Sequence, residues 1–170
     1  MDLYMIVLRI VHFFSGVFWV GTIFFFTLFL LPRVKQAGQL GGQFMQRLSA
    51  PPLPQTMSIS GGLVVLSGLL LYGRDSGGFR AAWVGTPTGL AFLIGGLLAI
   101  GALSIGIFVS RPAADRMGKL GKEIAASGGP PSPAQMAEVQ ALSAKLERGV
   151  YQTAYMLLVT LLTMSIARYL

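Results

Sequence analysis

The sequence predicts an all-α integral membrane protein: an antiparallel four-helix bundle whose third and fourth spans are lengthened into a cytoplasmic helical hairpin. Three observations predict it. Of 170 residues, 54% are hydrophobic and only 11% charged, and the mean hydropathy of +0.68 is too high for a water-soluble domain. Four apolar runs are long enough, at about 1.5 Å per helical residue, to cross most or all of a hydrocarbon layer about 30 Å thick. The basic residues cluster in two of the connections between those runs.

A single transmembrane domain over 1–170 is expected, with spans at about 3–31, 56–72, 89–110 and 150–168 and the hairpin at about 111–149. The opening MDLYMIVLRI lacks a basic leader and a small-residue cleavage site, so the first span is expected to remain in the mature protein. The first connection mixes Pro, Gly and Gln around Phe44, Met45 and Leu48, which predicts a short amphipathic turn at the membrane surface. In the second connection Tyr72 and Trp83 suit the water–lipid interface. In the third, Met117, Leu120 and Ile124 share a helical face. GGPPS breaks that helix, and Ser132, Pro133 and Gln135 cap a new one bearing Met136, Val139, Leu142 and Leu146 at spacings of three and four. These stripes are expected to zip the two stems together.

The first and third connections carry Arg33, Lys35, Arg47, Arg111, Arg116, Lys119, Lys122, Lys145 and Arg148, against Arg9, Arg74, Arg80 and Arg168 on the other side. The positive-inside rule makes the basic side cytoplasmic and places both termini outside. The net charge of +7 thus belongs to topology rather than to nucleic acid, which is not an expected partner. The lipid bilayer is, with a redox or membrane-protein partner and a homo-oligomer as further expectations. Both the first and third spans end in an Arg/Pro pair, Pro32–Arg33 and Arg111–Pro112, too short a match to establish duplication.

Cysteine is absent, which removes disulfides, iron–sulfur clusters and thiolate metal sites. None of the six acidic residues lies within a span, so the carboxylate of a proton relay or ion-coupled transporter is missing. There is no phosphate loop, catalytic triad or HExxH pattern, and a hydrolase is not indicated. The one histidine, His12, sits inside the first span, and an imidazole in hydrocarbon needs a hydrogen-bond partner or a metal. Arg9, His12, Gly16 and Trp19 form one helical stripe. Its residue types suit haem b: imidazole as axial ligand and metal-binding residue, guanidinium on a propionate, glycine beside the flat ring, indole at its edge. Met156 and Met164 are the soft ligands nearest in depth. A structural His12, bonded to Ser or Thr on a neighbouring helix, accounts for the same residue, and copper held by imidazole and thioether is a third reading.

The spacing His12, Trp19, Gly21 in the first span resembles the opening helix of CopD-like copper-resistance membrane proteins and of HemJ-type protoporphyrinogen IX oxidases. Leu30 to Arg33, LLPR, is similar to the LPR of the HemJ type, and RPAADRM and MSIARYL look like segments of four-span bacterial proteins grouped near CopD. The resemblance implies a small bacterial inner-membrane protein with His12 as haem ligand, serving electron transfer or haem handling. The third span carries no lysine where HemJ-type enzymes need one, and the further histidines usual in CopD-like proteins are missing. The alternative function is a non-enzymatic accessory or scaffolding subunit.

Overall fold

The computed structural model describes residues 2–48 and 52–170; residues 49–51 of the first connection lie outside it. Four helices are long and apolar enough to cross a membrane: α1 (Leu3–Gln36), α3 (Leu53–Asp75), α5 (Pro87–Ala126) and α6 (Pro133–Tyr169). Two shorter helices, α2 (Gly38–Leu48) and α4 (Ala81–Val84), lie between them. There is no strand among the described residues.

The long helices pack chiefly in two pairs, α1 with α3 and α5 with α6, and the pairs meet through α3–α5 and α1–α6 contacts. Contacts within each pair run in opposite senses along the chain. In the first pair Trp19 packs at Gly61 and His12 at Gly68; in the second, Met156 packs at Gly101 and Met164 at Gly95. The glycines carry the approach: a Cβ on Gly61 would lie 2.8 Å from Leu103 Cδ1, and one on Gly95 2.8 Å from Thr163 Oγ1. Apolar side chains gain nothing from leaving lipid for protein, so close backbone approach and cross-helix hydrogen bonds must hold such helices together. The shared core is small: Trp19, Val20, Val64, Ala102 and Leu157, with Met57, Leu103 and Met156 against it. Phe13, Phe14, Phe25, Phe29 and Phe108 are exposed, as lipid-facing residues are.

Helix α1 runs past the end the sequence suggests, because Pro32 does not stop it. A proline ring clashes with the carbonyl four residues back. Here the helix widens first into a π turn, Phe26–Leu30, in which the Leu31 N–H donates to the Phe26 carbonyl five residues back. Pro112 is absorbed in the same way: Gly106–Ser110 form a π turn, and the Arg111 N–H donates to the Gly106 carbonyl. The surface turn expected in the first connection is a full helix, α2, with Leu40 and Phe44 exposed.

The expected capping box is formed: the Ser132 hydroxyl accepts from the Gln135 N–H and the Gln135 side chain accepts from the Ser132 N–H. From there α6 is unbroken to its end. Its first turns lie beside the last turns of α5, where Leu120 and Ala113 are buried. Arg116 spans the two stems as a fork, Nε to Glu138 Oε1 at 2.6 Å and Nη2 to Glu138 Oε2 at 3.0 Å, while Nη1 donates to Glu123 at 3.0 Å. Lys35, at the end of α1, pairs with Glu147 of α6, and at the opposite end Arg74 pairs with Asp2.

Candidate functional site

The stripe on α1 is present as one face, and that face lies on α3. The His12 ring sits over the backbone of α3, with Nδ1 3.0 Å from the Val64 carbonyl oxygen and 3.2 Å from Ser67 Oγ. A carbonyl can only accept, so Nδ1 carries the proton, and in the neutral ring Nε2 holds the lone pair. Ser67 is 3% exposed. Its hydroxyl proton is taken by the Leu63 or Val64 carbonyl on its own helix, leaving an oxygen lone pair toward the ring. Gly68 makes the seat: a Cβ there would stand 3.0 Å from His12 Cε1 and 3.4 Å from Nδ1.

One and two turns along α1, the other stripe residues continue the same contact. Gly16 faces Val64, whose Cγ2 lies 3.9 Å from where a Cβ would be, and the Trp19 indole is buried against Gly61. Arg9 is exposed. Of the two methionines, Met164 packs at Gly95 on α5, and Met156 packs at Gly101 on α5 and against the shared core that includes Trp19. His12, Gly16 and Trp19 are therefore brought together on α3, Arg9 marks the stripe's open end, and Met156 and Met164 belong to the other helix pair. As a haem seat this arrangement fits poorly: the faces of Gly16 and Trp19 that would border a macrocycle are taken by α3, and neither methionine is placed opposite the ring. Among the described residues no group of three or more His, Asp and Glu side chains gathers as a metal cluster.

The second helix pair has its own polar tie. Thr160 Oγ1 donates across to the Gly95 carbonyl at 3.1 Å, with the Met156 carbonyl of its own helix at 2.9 Å. Among the described residues each pair is thus pinned by a side chain on one helix reaching a backbone carbonyl of the other. Sequence reasoning singled out His12, and the glycines Gly61, Gly68, Gly95 and Gly101 as points of close helix approach, but missed Val64, Ser67 and Thr160. The adjacent small residues Ser67–Gly68 were the available signal.

Toward the basic end, where the two π turns lie, the four long helices part around an apolar cavity of about 210 Å³. Trp19, Phe26, Met57, Leu103 and Ile107 line it, Leu48 of α2 borders it, and Arg111 stands among its polar lining residues with Ser110 and Thr153. His12 is not part of its wall. The chain matches no known protein family, curated protein or solved structure with which it was compared.

Proposed function

We propose that the protein is a non-enzymatic accessory or scaffolding subunit of a bacterial inner membrane, an antiparallel bundle of four transmembrane helices in which His12 is a polar cross-link between α1 and α3. One observation carries this reading: Nδ1 is committed to Val64 and Ser67, and the ring rests on Gly68. An imidazole whose proton is accepted by a backbone carbonyl is affordable in lipid without a metal. The hairpin, clamped by Arg116, projects from the basic end as a surface for a membrane-protein partner, with that end cytoplasmic by its charge.

Haem b on His12 is the second reading, favoured by one feature of the same geometry. A ring held through Nδ1–H by a carbonyl presents Nε2 with its lone pair oriented, which is how metal-ligating histidines are commonly prepared. A bound haem would supply one-electron chemistry at its iron. Purification in mild detergent followed by a visible spectrum and metal analysis separates the readings. A colourless, copper-free protein whose thermal stability falls in His12→Ala supports the cross-link. A Soret band that disappears in His12→Ala establishes haem and overturns it, and stoichiometric copper without a Soret band establishes the third reading.

A further inference from the structure

The cavity at the basic end combines features that a packing fault does not. Its wall is apolar, with Trp19, Phe26 and Met57 among its lining residues. Thr153, 5% exposed, is among its few polar lining residues. Arg111 stands in the same wall, and its guanidinium forms no ion pair among the described residues, although Arg116 one turn on holds two carboxylates. Gly106 of the second π turn leaves the wall open: a Cβ there would meet no atom within 4 Å. At about 210 Å³ the space lies below the roughly 300 Å³ at which pockets for compact small molecules begin. It suits a slender chain, and it is too small for a macrocycle or a nucleotide.

From these features we propose that the cavity holds an acyl chain of an anionic glycerophospholipid from the leaflet at the basic end, its headgroup phosphate on Arg111. The charge of that end favours the same occupant, since in the sequence the first and third connections carry Arg33, Arg47 and Lys119 along with Arg111, and anionic headgroups gather at basic clusters. The π turns set the geometry: each widens its helix where the helices must part, and the second places Gly106 and Arg111 at the two limits of one turn.

The two tryptophans give a direct readout, because Trp19 lines the cavity and Trp83 lies at the opposite end of the molecule. The full chain carrying Trp83→Phe is reconstituted in bilayers of phosphatidylcholine containing either phosphatidylglycerol or phosphatidylcholine brominated on its acyl chains, and Trp19 quenching is titrated. Brominated phosphatidylglycerol is expected to quench at about fivefold lower mole fraction, the preference that one lysine or arginine confers at a membrane surface. Arg111→Gln is expected to abolish the preference, and Gly106→Leu to reduce quenching by both lipids by filling the space. Equal quenching by the two lipids in the parent chain overturns the proposal, and that comparison needs no further variant to fold. Stronger quenching by a brominated free fatty acid than by phosphatidylglycerol also overturns it, in favour of a soluble carboxylate ligand.

Discussion

At His12 the interaction that decides the residue's role is local and measurable. Removing the ring in His12→Ala deletes one cross-helix hydrogen bond, worth about 0.6–1.7 kcal/mol in membrane proteins, and opens a void over Gly68. A loss of about 1–2 kcal/mol of stability, read by thermal unfolding in detergent, is expected. Gly68→Ala should act through the same contact, because its methyl would press the ring at 3.0 Å, whereas Gly62→Ala meets nothing within 4 Å and should be neutral. Equal behaviour of the two glycine variants would show that the ring is not seated as described. The sequence made the stripe legible, since helical spacing alone puts His12, Gly16 and Trp19 on one face. It did not say what that face meets. Depth counted from the span end points near Leu63, one residue from the Val64 carbonyl that the ring meets, while the seat itself, Ser67 and Gly68, lies about a turn further on, where the glycine contact sets the close approach.

Among the elements, helix cores and the Ser132 cap were legible because hydropathy and capping are local. The ends of α1 and of the third span were not, because proline usually stops a helix, and whether a π turn absorbs it depends on the packing around the preceding turn. The hairpin offers a test at this scale. The guanidinium of Arg116 beside Glu138 holds the carboxyl below its ordinary range, and the paired carboxylates in turn raise Arg116. A carboxyl lowered on folding contributes stability that is fully present above its unfolded pKa of about 4.3 and is lost as pH falls through the lower folded value. Amide exchange in the hairpin, corrected for intrinsic rates, should therefore accelerate as pH falls below about 5, and Glu138→Gln should show the faster rate already at neutral pH with a smaller pH response. Both charges are solvent-exposed, so high salt should mimic part of the effect.

For the whole molecule, the two halves are built alike. Each opens with a long helix that reaches a π turn and then a proline, at Pro32 and Pro112, and each pairs that helix in the opposite sense with the next long one. Among the described residues each pair carries a side-chain-to-carbonyl tie, from His12 or from Thr160. The matching Arg/Pro pairs in the sequence hinted at this, while the π turns that give them meaning needed the structure. Orientation is testable because the chain has no cysteine. A cysteine in place of Ser127, at the hairpin turn, should react with a membrane-impermeant maleimide only after the membrane is opened, and one in place of Ala82 should react in intact cells. The reverse pattern would invert the proposed topology.

Helix α6 has 37 residues, a length of about 55 Å at 1.5 Å per residue, whereas the hydrocarbon layer takes up about 30 Å. In the proposed topology the remaining 25 Å or so would form a doubled strut rather than a tether, since α5 runs beside it and Arg116 pairs with Glu138 across the two. Whatever grips the tip at 127–132 would be held at a set stand-off from the lipid, beyond the headgroups, and the hairpin would serve as a ruler whose graduation is the number of helical turns between Arg111 and Ser127.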